Sequence, residues 1–393
     1  MTPPSLLSPT PPALDRLPQV TAALAVNAAE HDRDATFPYE GVAAAHDAGL
    51  LTATVGTRFG GPGSGLADTV RILQALGGGD PAVALVTAMT LFTHSAQARS
   101  GSWPLEAYEL LLRQSLSRPV LVNALRVEPE LGSPVRGGLP VTVARRREDH
   151  WELTGHKIFS TGAEALGWML VWARTDETPT RVGSFLVQGG AEGITVLPTW
   201  NHVGLRASRS DDVLLDRVRV PLDHVAGLAE PGDGGGRDVV GGAWNSLGLT
   251  ALYLGVARAA QHWLTGFLHE RIPTALGAPL ATLPRFQTAV GEIDIALGGA
   301  ERLVRALAED VDAGDPAAAE QAGGAKVLGT RAALGAVEQA LALTGNHGLT
   351  YDNPLQRHHR DVLCSRVHTP QDDMSLLAAG RAVLARRTLT EGS

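Results

Sequence analysis

Residues able to move a proton or hold a reactive ligand gather at two places in this chain. One is His368-Thr369-Pro370-Gln371-Asp372-Asp373. Threonine caps helix N-termini, proline suits a first helical turn, and aspartate complements the positive end of the helix dipole. The segment therefore predicts a helix start with Thr369 as N-cap. His368 would sit just outside that end, where the dipole disfavours imidazolium and keeps the ring neutral. A neutral imidazole can accept a hydrogen bond or take a proton. The same position equally suits a plain surface histidine, and residue type alone does not separate the two. The other place is Phe159-Ser160-Thr161-Gly162, at the end of a strand-like run. Side chains alternate along a strand, so Ser160 and Thr161 should face opposite ways, one of them toward whatever lies against the strand. Asn123 adds an amide upstream, although asparagine beside a turn commonly serves the turn itself.

Other constellations fail. Gly61-Pro62-Gly63-Ser64-Gly65 precedes a helix, but no Gly-Lys-Ser/Thr follows, which excludes a phosphate-binding loop of that kind. The chain has no His-Glu-x-x-His. Its one cysteine, Cys364, excludes an internal disulfide and a cysteine-rich zinc site, and fits a reducing, cytoplasmic setting. His347, His358 and His359 lack metal-ligand spacing, so no metal is expected. Cys364 and His368 have no evident orienting partner for nucleophilic chemistry. Arg360-Asp361 reads as a structural ion pair. A net charge of −8, from 33 Lys+Arg against 41 Asp+Glu, argues against a broad nucleic-acid surface. No run of eighteen apolar residues marks a membrane span, and the N-terminus lacks a basic-then-apolar leader.

The elements that must position these groups follow from composition and period. With 393 residues, 44% of them apolar, the chain can fill two or three cores. Residues 1–14, with Pro3, Pro4, Pro9, Pro11 and Pro12, predict an extended tail. Residues 15–119 predict a helical domain, with Gly49 as a helix stop and a helix from Leu66 to Leu76. Residues 120–228 turn strand-like: Val141 and Val143 alternate with polar neighbours, Trp151–Leu153 follows a charged turn, and Trp168–Ala173 reads as a buried strand. Residues 229–242, carrying Pro231 and Gly234 to Gly236, predict a mobile linker. From 243 to 393 helices return. Phe286, Val290, Ile293, Leu297, Ala300, Val304 and Leu307 form a heptad-like stripe, and Val327, Leu334, Val337 and Leu341 a second. The helix from Trp244 to Leu268 is apolar on most faces, which predicts burial between domains or subunits. The expected fold class is α+β multidomain, in the order helices, β domain, helices.

Several local sequences together resemble the acyl-CoA dehydrogenase superfamily, from about residue 15 to 390. They are Glu128-Pro129 with Gly132-Ser133, Gly155-His156-Lys157-Ile158-Phe159-Ser160-Thr161-Gly162, Val203 to Ser208 with Val220-Pro221, Thr344 to Leu349, and Arg360-Asp361. The resemblance implies an N-terminal helical domain, a central β barrel, a C-terminal four-helix bundle, and a homotetramer built as a dimer of dimers. It implies a flavin, FAD or FMN, lying against residues 159–162 and touched by Asn123, Val127, Ser133, Phe159, Ser160 and Thr161. Arg271 and the Gly345-Asn346 turn would reach the phosphate end of a neighbouring subunit's cofactor. Asn346 replaces a second glycine there, which leaves FAD against FMN open.

Departures from the dehydrogenase pattern redirect the chemistry. Thr369 stands where most of those enzymes carry a catalytic glutamate, Val127 where they carry threonine, and Phe159 where they carry tryptophan. The run Phe-Ser-Thr-Gly-Ala at 159–163 resembles the flavin-dependent monooxygenase branch, which includes dibenzothiophene monooxygenase-like enzymes. By that likeness Ser160 and Asn123 would hold a flavin C4a-hydroperoxide and His368 would manage the proton. The substrate would be a small aromatic or heteroatom-bearing molecule, and a separate reductase would supply reduced flavin. Two other readings remain at this level: an FAD-dependent acyl-CoA dehydrogenase with a relocated base, and a flavin-binding protein without turnover.

Overall fold

Apolar periodicity explains most of the architecture. The computed structural model describes residues 12–131, 138–232 and 238–390. The N-terminal part is helical: α1 (Leu17–Asp34), α2 (Tyr39–Asp47), α3 (Leu66–Gly79), α4 (Pro81–Ser100) and α5 (Leu105–Ser115). A mixed sheet follows, of β1 (Leu121–Leu125), β2 (Val143–Arg146), β3 (His150–Lys157), β4 (Leu166–Thr175), β5 (Val182–Gln188), β6 (Ile194–Leu197), β7 (Asp212–Pro221) and β8 (Val225–Ala229). Its order is β6-β7-β3-β2-β4-β5-β8, with β1 joined parallel to β4. The C-terminal part comprises α6 (Val239–Glu270), α7 (Pro284–Asp312), α8 (Pro316–Thr344), α9 (Leu355–Leu363) and α10 (Asp372–Thr390).

The α7 stripe is the inner face of the bundle. Phe286, Ile293, Leu297, Ala300, Val304 and Leu307 are buried, and Val290 is half-buried. On α6, Leu247 through Ala257 is buried all round, packed by α3 on one side and α8 on the other. Its apolar surface thus lies between domains of one chain. By length and composition α6 could cross a membrane, but 72% of that window is buried inside the protein.

Three sequence expectations move. α3 runs past Leu76 to Gly79, because Gly77 and Gly78 pack against α6 and Gly79 against α1. A Cβ on Gly77 would meet the Leu252 carbonyl oxygen at 2.3 Å, and one on Gly255 the Gln74 carbonyl oxygen at 2.1 Å. Packing outweighs glycine's poor helix propensity here. The 229–242 linker is shorter than expected: β8 reaches Ala229 and α6 starts at Val239, where Asp238 accepts from the Gly241 N–H at 2.7 Å. Residues 233–237 of that linker, residues 1–11 of the tail, and Ser133 lie outside the described residues. Finally, Arg360 and Asp361 do not pair with each other. Arg360 holds the Asp32 carboxylate of α1 and donates to the Val203 carbonyl at 2.8 Å. Asp361 accepts from the Leu205 N–H at 2.7 Å.

The α3–α6 crossing predicts a contrast between two glycines of one helix. Gly255→Ala should lower the urea unfolding free energy by about 1–3 kcal/mol through overpacking. Gly266→Ala, where an added Cβ meets nothing within 4 Å, should be neutral or stabilising. Equal effects of the two substitutions would refute the close-approach account.

Candidate active site

The site is built outward from a buried ion pair. Lys157 ends β3 with its side chain fully buried. Its Nζ donates to Glu128 Oε1 at 2.6 Å and to the Trp172 carbonyl at 2.6 Å. Glu128 also accepts from the Val141 N–H at 2.6 Å, the Thr142 N–H at 3.1 Å and Thr142 Oγ1 at 2.5 Å. Burial pulls the Lys157 ammonium down to about 8, against the pull of Glu128. Burial also works to raise the Glu128 carboxyl, but its bonds to Lys157 and Thr142 outweigh this and hold it below the usual range. Glu128 is therefore an occupied carboxylate.

Beyond Lys157 the chain leaves the strand. The Ile158 N–H donates to the Val127 carbonyl at 3.0 Å, and Phe159 then takes a left-handed φ of 55°. The alternation expected for Ser160 and Thr161 thus lacks its strand, although the two hydroxyls do part company. Thr161 lines a cavity of about 2970 Å³; Ser160 does not. Ser160 is buried with its Oγ unpartnered, so the hydroxyl presented to the cavity is that of Thr161. Thr161 Oγ1 accepts from Ser210 Oγ at 3.1 Å, which leaves its own hydrogen free to donate. Asn123, Val127 and Phe159 line the same cavity. Asn123 Nδ2 donates to the Thr161 carbonyl at 3.1 Å, leaving Oδ1 for the cavity.

The opposite wall comes from the C-terminal helices. His368 is half-buried and lines the cavity. Its Nδ1 lies 2.8 Å from Tyr253 Oη of α6. Burial first, and then the charges of Lys326 and His202, push its pKa down to about 4. Burial and charge thus favour the neutral ring, the same direction as the sequence expectation, which had rested on a helix dipole. Thr369 is not an N-cap: α10 begins at Asp372, and its first helical bond runs from the Ser375 N–H to the Gln371 carbonyl at 3.1 Å. The Thr369 carbonyl instead accepts from Asn245 Nδ2.

Arg271, Gly345 and Asn346 lie elsewhere, exposed at the far end of α6 and outside this cavity. Arg271 follows the end of α6, and the ring of His347 lies 5.5 Å from that of Phe267 in the last turn of α6. Sequence reasoning missed Tyr253, Asn245, Lys326 and the Glu128–Lys157 pair. Only Lys157 left a signal, a charge inside a strand-like run.

The cavity's acidic residues are Glu128, Glu230, Asp238 and Glu320. Glu128 is held by Lys157, Asp238 caps α6, and Glu230 and Glu320 are exposed. A flat heteroaromatic group with polar edges fits this place. Phe159 and Trp200 supply aromatic walls with ring centroids 6.3 Å apart, and the free Thr161 hydroxyl and Asn123 carbonyl supply edge partners.

Models of the acyl-CoA dehydrogenase N-terminal, middle and C-terminal domains match residues 19–102, 126–218 and 247–372. YdbM of Bacillus subtilis is 29% identical over 92% of this chain and 93% of its own. The amino sugar nitrososynthase DnmZ of Streptomyces peucetius is 30% identical over 94% and 93%. The solved structure of KijD3 in complex with FMN and dTDP-3-amino-2,3,6-trideoxy-4-keto-3-methyl-D-glucose superposes with a TM-score of 0.80. It is 28% identical and covers 97% of this chain and 96% of that one.

The ion pair yields a stability prediction. Lys157→Met strands the Glu128 carboxylate in the interior and should lower the urea unfolding free energy by about 3–5 kcal/mol. Adding Glu128→Leu should recover most of that loss. A single variant as stable as the parent would contradict the pair's role.

Proposed function

Because this chain belongs to the acyl-CoA dehydrogenase family of flavoproteins, we propose that it is a flavin-dependent oxygenase acting on the nitrogen of an amine. The supporting observation is that the wall opposite residues 159–161 carries no free carboxylate among the described residues. His368, Tyr253, Asn245 and Thr369 line or back that wall without a free carboxylate. Removing a proton from carbon needs a base that holds it; a threonine hydroxyl and an imidazole with a pKa of about 4 are poor bases. Oxygen transfer to an amine has the reverse requirement. A carboxylate beside the nitrogen would stabilise the ammonium form and occupy the lone pair that must attack oxygen.

Bound reduced flavin supplies two electrons to dioxygen, so that one oxygen atom joins the substrate and the other leaves as water. A separate reductase would provide that flavin. Thr161 and Asn123 would hold the flavin edge, the first as a donor, and His368 would meet the transferred oxygen from the opposite wall. Ser160 takes no part. The large cavity suits a substrate bigger than a bare amine, in keeping with the sugar nucleotide held by KijD3. FMN is favoured over FAD by that relative and by Asn346 at the turn that would approach an adenylate half. In a homotetramer, Arg271 and the 345–346 turn would reach the phosphate end of a partner's flavin.

Anaerobically reduced flavin and protein, mixed with oxygen in a stopped-flow instrument, should give a transient absorbance before oxidised flavin appears. An amine substrate should then gain oxygen. His368→Ala should cut that transfer by about 10²–10⁴-fold with flavin affinity nearly intact. Rapid reduction of the bound flavin by an acyl-CoA would overturn the assignment.

The oligomer yields its own expectation. Arg271→Glu should weaken flavin binding by at least about tenfold, roughly one charged contact, while the unfolding midpoint changes little. Binding as tight as the parent's would remove Arg271 from the cofactor site.

A further inference from the structure

Two buried groups outside the cavity bear on His368. Tyr253 is wholly buried in α6, and among the described residues its hydroxyl has no hydrogen-bond partner except His368 Nδ1, at 2.8 Å. A buried hydroxyl hydrogen without an acceptor costs about 1–3 kcal/mol, so the phenol must donate to Nδ1. Burial also keeps the phenol protonated by raising it well above its ordinary value. When Nδ1 of a neutral imidazole accepts, the ring proton sits on Nε2. Nε2 has no partner among the described residues, and the ring lines the cavity. Lys326, on α8, is almost completely buried beneath the turn that leads to His368. Its Nζ donates to the Ser365 carbonyl at 3.3 Å.

We propose that Tyr253 and Lys326 are positioning residues for His368. The hydroxyl fixes the ring proton on Nε2, and the ammonium holds the turn that carries the ring, so that His368 meets the reacting oxygen as a hydrogen-bond donor. This rests on the oxygenase reading above and specifies it: His368 gives a hydrogen bond, where the sequence reading has it accept one or take a proton. The surrounding charges agree. Tyr253 faces the ring from α6, Lys326 from α8 and His202 from the loop after β6, while Cys364 and Asp361, on the chain leading into the turn, act on the Tyr253 phenol behind it. The Cys364 thiol is pushed up to about 12 by burial and stays neutral; burial likewise raises Asp361, to about 7. Lys326 is the nearby cation that opposes a second ring proton, although burial pulls its own ammonium below the ordinary lysine value against the charge of Asp372. Its removal should therefore raise the pH at which the imidazole titrates.

Nitrogen-15 NMR of histidine-labelled holoenzyme tests this directly, with the His368 signals identified by their loss in His368→Gln. In the parent, Nδ1 should show the unprotonated shift and Nε2 the protonated one from about pH 5.5 to 8, the range a histidine of ordinary pKa would titrate across. In Tyr253→Phe the two nitrogens should move toward averaged shifts. That variant's kcat should fall roughly tenfold, with KM and flavin affinity within about twofold. Lys326→Met should move the acid limb of the kcat profile and the imidazole titration upward together, and Lys326→Arg should restore both. A parent protonated on Nδ1, a Tyr253→Phe enzyme with unchanged shifts, or a Lys326→Met titration that stays put overturns the proposal. Full oxygen transfer by His368→Gln would likewise overturn it, whereas a parent that transfers no oxygen to any amine would overturn the oxygenase reading, and the nitrogen shifts would still decide the tautomer.

Discussion

A lysine with no solvent exposure keeps its charge only if the protein answers it. In this chain Glu128 and the Trp172 carbonyl do so. That one pair ties the end of β3 to the segment after β1 and to β4, so three separate stretches of chain meet at fixed distances. Everything on the near wall of the cavity hangs from that knot. The backbone leaves β3 directly after Lys157, Phe159 turns out through a left-handed conformation, and Thr161 comes to face the opening. The same knot explains why a carboxylate so near the site is not a base: its oxygens are already occupied by an ammonium, two backbone N–H groups and a hydroxyl.

The far wall depends on a second set of contacts. Arg360 and Asp361 reach across to α1 and to the backbone at 203–205. Gly204 is required for this approach, since a Cβ there would lie 2.2 Å from the Arg360 carbonyl oxygen. These contacts set the turn from Cys364 to Thr369 opposite residues 159–161. α6 then contributes Asn245 and Tyr253, about two helical turns apart on one face. The site is thus assembled from elements of the sheet and both helical regions, and no single segment contains it.

That distribution decides what could be read from sequence. The α7 stripe was legible because burial on one face of a helix leaves its period in the chain, and the strands likewise left their apolar runs. The hydroxyl at position 161 was only half legible. The pair Ser160 and Thr161 was visible, but the left-handed residue before them broke the alternation needed to choose between them. Thr369 misled for a related reason: its neighbours had the composition of a helix start, while the helix begins three residues later, at Asp372. Tyr253 could not be found at all. It sits in an apolar helix where a buried tyrosine is unremarkable, and only the return of the chain more than a hundred residues later gives its hydroxyl a partner.

Backbone-to-backbone contact between α3 and α6 also has a mechanical meaning. At the Gly77–Gly255 crossing the two helices meet backbone to backbone, so that point has no side-chain layer that can shear or repack. The N-terminal helices and the bundle are therefore welded at that point and cannot swing apart as a hinged lid. A ligand that enters the cavity passes instead along the wall where the chain after α9 carries His368. That wall is held by Tyr253 and Lys326, so any ligand that displaced it would have to break, and on leaving remake, the alignment on which the imidazole's hydrogen bond depends.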